Sequence, residues 1–152
     1  MAKNKGFGNV LPVLLCSLSL ISLPSFSHGL ELTEAYEALN ARKTACFLLG
    51  DSGHKQLPKD DWVSQLNEDN KQAVLSYVAQ KAFNDCLTRE VAHLERVLAK
   101  QSDDVKALFT RYIAIEPYLA QRPMQVDQGS LDRFESKIHG PFKVSEALNV
   151  YE

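Results

Sequence analysis

The hydrophobic residues of this chain recur in steps of three and four over long stretches, which is the spacing that places them on one face of an α-helix. The first such stripe runs from Leu32 to Cys46, with Thr33 as the expected N-cap and Gly50 as the expected end of the helix. Residues 51–54 combine Asp, Ser and Gly, which favour local turns, so we expect a loop there.

A second stripe predicts one long helix from Lys71 to Lys100, because no Gly or Pro interrupts this segment and it is rich in good helix formers. The polar residues 67–70 can cap its start. Its apolar side consists of Leu75, Ala79, Ala82, Phe83, Cys86, Leu87, Leu94, Val97 and Leu98. A heptad register fits Leu87, Val91, Leu94 and Leu98. Two heptads are too few to predict a coiled coil.

The third main helix is expected after Ser102, which is a good N-cap. Its apolar stripe is the most regular in the chain and consists of Val105, Leu108, Phe109, Tyr112, Ile115 and Leu119. Pro117 should kink or end this helix, because the residue before a proline avoids the helical conformation. Pro123 closes the segment.

Two shorter helices are also predicted. One follows Pro58 and carries Trp62, Val63 and Leu66. The other is capped by Ser130, ends at Gly140 and carries Leu131, Phe134 and Ile138. Apolar and polar residues alternate only weakly from Phe142 onwards, so a docked tail, an edge strand and a flexible end all stay open for residues 140–152.

The N-terminal residues have the three parts of a secretory signal peptide. Two lysines precede the apolar stretch Val10–Leu23, and small residues follow within 25–27. A transmembrane anchor is the alternative, but the apolar stretch is shorter than the ~20 residues that span a bilayer. We expect residues 1–27 to be a signal peptide that is cleaved after Ser27, leaving 28–152 as a single helical domain in the periplasm or outside the cell.

Removal of the signal peptide takes away Cys16 and leaves Cys46 and Cys86 as the only thiols. An oxidising compartment favours one disulfide between them, with two buried free cysteines as the alternative. Bridged α carbons lie within about 7 Å, so the bond would fix the first helix beside the middle of the long helix. The sequence therefore predicts an all-α fold, a small helical bundle of three main helices plus one or two short helices, with one disulfide stapling a helix hairpin.

The disulfide also predicts an ion pair. In an antiparallel hairpin, Arg42 and Glu90 each lie four residues from a bridged cysteine, on the side where they should approach each other. Glu90 shares a stripe with Leu87 and Leu94, where an unpaired carboxylate would be costly. We expect Arg42 to pair with Glu90, and Lys43 is the alternative partner.

The composition is that of an ordinary folded protein, with 45% hydrophobic and 24% charged residues. Loss of Lys3 and Lys5 from the 17 basic residues leaves 15 against 19 acidic ones, a net charge of −4. Nucleic-acid phosphates are bound by clustered Lys and Arg. A mildly acidic chain without a basic stripe therefore argues against a nucleic-acid partner.

Glu90 and His93 form an ExxH pair, the spacing with which helical bundles present ligands to a di-metal centre. Such a centre needs a second ExxH, which the chain lacks. The favoured interpretation is therefore structural, with Glu90 in an ion pair and His93 at the edge of the core. Asp60 and Asp61 fit the acidic first turn of a helix better than a catalytic pair. The chain has no HExxH, CxxC, P-loop or dinucleotide motif, so we expect no cofactor and assign no catalytic residue.

Four aromatic residues lie off the main stripes or in weakly periodic segments, namely Trp62, Tyr118, Phe142 and Tyr151. Such residues often anchor protein interfaces. The simpler alternative is that Trp62 and Phe142 close the ends of a small helical core.

The absence of catalytic motifs favours an exported, non-enzymatic helical binding protein, such as an adaptor, an inhibitor or a chaperone-like protein, which contacts another protein. A metal-dependent or hydrolytic enzyme using Glu90 and His93 is the alternative from another class. A third hypothesis is a structural helical oligomer, for which the heptad from Leu87 to Leu98 is the sole sequence argument.

Overall fold

The computed structural model describes residues 25–112 and 121–152. Within these ranges the chain forms six α-helices, one 3-10 helix and no β-strand, which confirms the predicted all-α fold. The helices are α1 (Ser25–Gly53), α2 (Asp61–Gln65), α3 (Glu68–Ala99), α4 (Asp103–Tyr112), α5 (Gln128–Glu135) and α6 (Val144–Val150), and the 3-10 turn His54–Gln56 follows α1. The predicted helical residues Ile115 and Leu119 lie outside the described residues.

Helices α1 and α3 form an antiparallel hairpin. Glu31, near the start of α1, pairs with Lys100, just after the end of α3, at 3.1 Å. Farther along α1, Cys46 is bonded to Cys86 of α3, and their α carbons are 6.2 Å apart. The disulfide therefore fixes the first helix against the middle of the long helix, as the sequence predicts.

The hydrophobic core consists of two clusters that share α3. The α1 core lies along the second half of α3 and contains Ala35, Leu39, Cys46, Leu87, Leu94 and Val97. The α5–α6 core lies along the first half of α3 and contains Val63, Val74, Leu75, Val78, Ala79, Val126, Leu131, Phe134, Phe142, Ala147 and Tyr151. The long helix thus connects two packed units.

Helix α1 is longer at both ends than the sequence predicts. The hydroxyl of Thr33 donates to the carbonyl oxygen of Gly29 at 3.0 Å, so Thr33 is an interior residue of the helix and the prediction of an N-cap is wrong. The helix also continues through Gly50 and ends at Gly53, so the predicted loop over residues 51–54 is helical in its first three residues.

The last two glycines of α1, Gly50 and Gly53, lie where another segment of the chain packs on the helix. The segment at Pro141 and Phe142 crosses over α1 at these glycines. A Cβ atom on Gly53 would lie 2.0 Å from the carbonyl oxygen of Pro141, whereas a Cβ on Gly50 would be 3.9 Å from its nearest neighbours. Gly53 therefore allows a backbone contact that no side chain would permit.

Side-chain caps set the starts of three helices. Asn67 accepts a hydrogen bond from the backbone N–H of Asn70 at 2.9 Å at the start of α3, as expected from the polar residues there. Asp60 caps α2 by accepting from the N–H of Trp62 at 3.2 Å, and Asp61 is the acidic residue of the first turn. At α5 the cap is Asp127, which accepts from the N–H of Ser130 at 2.7 Å, so the prediction of Ser130 as the cap is wrong.

The C-terminal residues form α6, which packs on the α5–α6 core. Ala147 is fully buried and Tyr151 is 2% exposed. The ring of Tyr151 lies edge-on to Phe134, with 5.9 Å between the ring centroids. Of the three structures that the sequence leaves open here, the chain adopts a docked helix.

Tyr151 also carries a hydrogen bond that links the C-terminus to the loop before α2. Its hydroxyl donates to the carbonyl oxygen of Pro58 at 2.6 Å. Burial, with a smaller contribution from the charge of Asp60, raises the pKa of Tyr151 to about 12. A tyrosine in an unfolded chain ionises near pH ~10. The native state therefore holds this proton more tightly than the unfolded state.

We expect the contribution of Tyr151 to stability to be complete below pH ~10 and to be lost as the pH rises to about 12, because the unfolded chain releases the phenolic proton first. Urea unfolding of the wild type and of Tyr151→Phe measures this. At neutral pH the variant should be less stable by about 1 kcal/mol, since the Pro58 carbonyl loses its donor. The difference should shrink on going to high pH, and a constant difference would contradict the assignment.

No described helix is both long enough and apolar enough to cross a membrane. The apolar stretch Val10–Leu23 lies outside the described residues.

Candidate functional site

The ExxH residues of α3 do not gather further metal ligands. The carboxylate of Glu90 is 3.3 Å from the guanidinium of Arg89, and its side chain is 15% exposed. His93, three residues along, is exposed. Among the described residues there is no group of three or more His, Cys, Asp or Glu side chains placed to hold a metal ion.

Arg42 and Glu90 do not pair with each other. Glu90 pairs with Arg89, whereas the Nε–H of Arg42 donates to the carbonyl oxygen of Cys86 at 2.9 Å. Arg42 therefore contacts α3 one helical turn before Glu90. The predicted register of the hairpin is right, but the predicted ion pair between Arg42 and Glu90 is not formed. The guanidinium of Arg42 binds the backbone carbonyl of Cys86, and Arg89 pairs with Glu90 instead.

The aromatic residues singled out from the sequence are mostly part of the core. Phe142 is 6% exposed and Tyr151 is 2% exposed. Trp62 is partly buried against the same cluster, with its ring 6.5 Å from that of Phe134. Tyr118 lies outside the described residues. The packing of Trp62 and Phe142 agrees with the simpler interpretation, in which they complete the core.

Three of the four heptad residues of α3 likewise pack within the chain. Leu87 and Leu94 are buried in the α1 core, and Val91 packs against it. Their apolar surface already contacts α1, so this stripe gives no support to self-association through a coiled coil.

A groove of about 500 Å³ lies between the C-terminal end of α1, the 3-10 turn, the middle of α3 and the segment before α6. We call it the α1–α3 groove. Its apolar lining includes Leu49, Leu57, Ala82, Ile138 and Pro141. The volume lies in the range of roughly 300–1,000 Å³ that is typical of ligand sites.

Polar side chains line the same groove as well. Arg42 and Asp85 both contribute to its walls, as does His139. The carboxylate of Asp85 is 2.9 Å from the ammonium of Lys81. This hydrogen bond is the main reason that the pKa of Lys81 is raised, and a second carboxylate, that of Glu135, lies 3.4 Å from the same ammonium. Asp85 is therefore neutralised by a cation of its own helix.

Next to the groove, three consecutive large apolar residues of α1 are exposed. Phe47 and Leu48 are each 61% exposed, and Leu49 is 52% exposed. We call these three residues the α1 apolar patch. Leu49 also lines the groove, so the patch adjoins the groove at this residue.

A basic residue borders the other side of the patch. The ammonium of Lys143 is 5.6 Å from the ring centroid of Phe47 and 2.6 Å from the carboxylate of Asp51. The hydrogen bond to Asp51 raises the pKa of Lys143. Lys143 therefore stays cationic over the aromatic ring while its charge is balanced by Asp51.

Comparison of the chain with known protein families, with curated proteins and with solved structures found no match.

Proposed function

We propose that the chain is an exported, non-enzymatic helical protein, such as an adaptor, an inhibitor or a chaperone-like protein, that binds another protein through the α1 apolar patch and the adjoining groove. The observation that carries this proposal is the exposure of Phe47, Leu48 and Leu49 side by side on one helix. Single exposed apolar residues are common on protein surfaces, but contiguous ones beside a groove are typical of interaction sites.

The energetics of burial support this use of the patch. Full burial of a Leu or Phe side chain contributes about 1.5–3 kcal/mol relative to exposure in water. Interface cores are rich in aromatic residues and poor in charged ones, and the patch combines Phe47 with two leucines. These side chains stay exposed when the chain folds, so a partner that covers the patch would gain binding free energy from burying them.

The proposed compartment is the periplasm or the extracellular space, reached after cleavage of residues 1–27. The disulfide between Cys46 and Cys86 supports it, because such bonds form and persist in oxidising compartments. The lysines and the apolar stretch at the N-terminus support it as well. The partner would be a protein of the same compartment.

A photo-crosslinking amino acid tests the site. It is placed at Leu48 in the patch or, as a matched control, at Leu108 of α4, which has a similar exposure of 64%. Crosslinking is carried out in the native extracytoplasmic fraction. We expect a discrete adduct with a different protein from position 48 and none from position 108. Equal adducts from both positions would contradict the proposal, and an adduct with a second copy of the chain would favour the oligomer hypothesis instead.

The crosslinked partner then permits a quantitative prediction. We expect Leu48→Asp to weaken its affinity by about tenfold or more, because a carboxylate would be buried in an apolar contact. Leu108→Asp should leave the affinity unchanged. Both substitutions are at exposed positions, so circular dichroism should show unchanged melting. Equal affinities for the two variants would overturn the assignment of the patch.

A further inference from the structure

The two cysteines of the disulfide differ in their access to solvent. Cys46 of α1 has no exposed surface and belongs to the α1 core. Cys86 of α3 is only partly buried against that core, and it lines the α1–α3 groove, which Cys46 does not. A reagent in solution therefore finds the sulfur of Cys46 closed, and an attack on the bond of the folded chain has to go to Cys86.

The groove beside Cys86 suits a small thiol. A disulfide is opened when a thiolate attacks one of its sulfurs, and the rate depends on which sulfur can be reached. The groove holds about 500 Å³, which is in the range of small-molecule sites. Its lining includes both Arg42 and Asp85, so its charge does not choose between thiols. Its place between α1, α3 and the segment at Pro141 favours a small molecule over a cysteine on the surface of another protein.

We propose that Cys86 is the site at which a small-molecule thiol, such as glutathione, modifies the chain through a mixed disulfide. The thiolate sulfur bonds to the Sγ of Cys86 and the bond between the two Sγ atoms breaks. The electron pair of that bond leaves with Cys46, which takes up a proton and becomes a thiol. The reagent is oxidised and Cys46 is reduced, so no other oxidant or reductant takes part. This inference does not rest on the proposed function.

The modification opens the cross-link of the hairpin reversibly. While the reagent is bound to Cys86, the bond that joins α1 to α3 is broken. Loss of the proton from Cys46 lets its sulfur attack Cys86 again, which releases the reagent and restores the disulfide. A small thiol would thus control whether the two helices are covalently connected.

Reduced glutathione is the probe, and the oxidised wild-type chain is its target. The two are mixed without denaturant, the exchange is stopped with acid at early times, and free thiols are blocked with N-ethylmaleimide. Mass spectrometry of tryptic peptides then locates the adduct. We expect glutathione on Cys86 to exceed glutathione on Cys46 by about tenfold or more, because access decides which sulfur is attacked. The same reaction in concentrated urea is the control, in which both sulfurs are exposed and the two adducts should be similar.

A second measurement shows whether glutathione reacts with the folded chain. Its initial rate is followed at urea concentrations that leave the chain folded. We expect this rate to stay nearly constant, because Cys86 is reached without opening of the structure. A bond that is reached only through unfolding would instead react faster in step with the unfolded population, which rises steeply with urea.

Two single-cysteine variants extend the comparison, since both lack the same bond. Cys46→Ala leaves the thiol of Cys86 and Cys86→Ala leaves the thiol of Cys46. Under native conditions a coloured aromatic disulfide reagent should react with Cys86 about tenfold or more faster than with Cys46. The measurements on the wild type do not depend on the folding of either variant.

Similar adducts on the two cysteines of the folded wild type would overturn the inference. A rate of adduct formation that follows unfolding, or no adduct at all in the folded chain, would overturn it as well. The proposed function has a separate test in Leu48→Asp. If this variant loses partner binding while the wild type forms no adduct at Cys86, the binding surface stands and the modification site falls.

Discussion

Replacing Cys86 by Ser should lower the free energy of unfolding by about 4 kcal/mol, the largest effect we expect from a single substitution in this chain. The bond joins residues that are 40 positions apart, and a cross-link over a loop of that size restricts the unfolded chain by roughly this amount. Domains of this size are stabilised by only ~5–15 kcal/mol in total. The hairpin of α1 and α3 therefore depends strongly on the disulfide.

The experiment must separate the effect of losing the disulfide from the effect of changing the cysteine side chains. Cys46 is fully buried, so a Ser at that position would add the cost of an unpaired hydroxyl, whereas Cys86 is only partly buried. The double variant Cys46→Ala and Cys86→Ala and the chemically reduced wild type serve as controls. All three should unfold at lower urea concentrations than the oxidised wild type, as followed by circular dichroism. Unchanged unfolding in Cys86→Ser would show that the bond adds nothing to stability.

The second large effect is expected at Gly53, where substitution by Ala should destabilise the fold by about 2 kcal/mol through overpacking. The backbone of Gly53 is helical, with φ −63° and ψ −28°, so Ala fits the conformation itself. The added Cβ would lie 2.0 Å from the oxygen of Pro141 and 3.0 Å from its carbonyl carbon. Both are backbone atoms, so the whole crossing segment must move, and the groove that it borders should change shape.

Gly50→Ala is the matched control, one turn earlier in the same helix. Its Cβ would meet its neighbours at 3.9 Å, an ordinary van der Waals distance. Ala is favoured over Gly inside a helix by up to about 1 kcal/mol, so this variant should be as stable as the wild type or more stable. Urea unfolding of the two variants gives the comparison. Similar stabilities for Gly50→Ala and Gly53→Ala would contradict the close approach of Pro141.

Features that depend on periodicity and on nearby residues could be predicted from the sequence. The uninterrupted segment after Asn67 predicts α3 to within a few residues, and the polar cap is the one observed. The pair Cys46 and Cys86 predicts the register of the hairpin, because a disulfide allows only a short distance between the two backbones. Local chemistry is sufficient for such features.

Features that depend on a distant segment could not be predicted. Gly50 looks like a helix end in the sequence and Gly53 like a loop residue, since nothing there indicates that Pro141 will pack against them. Thr33 looks like an N-cap because an N-cap and a helix-interior threonine that bonds to the preceding turn have the same side chain.

The candidate site was missed for the same reason. Phe47 and Leu48 directly follow a buried cysteine. Because the helix was expected to end at Gly50, the sequence did not indicate that both side chains point into solvent. The groove brings together Arg42, Asp85 and His139, which are far apart in the chain. One signal was available: three apolar residues in a row cannot all lie on a single narrow helical stripe.

The position of the groove between the two cores links binding to stability. Cys86 on one wall packs against the α1 core, whereas Leu57 and Ile138 on the other pack against the α5–α6 core. A bound partner would contact residues of both cores and would dissociate if either core unfolded. Its binding free energy would therefore add to the cooperativity of unfolding of the whole domain. A higher partner concentration would then slow proteolysis of the chain, because less of it would be unfolded.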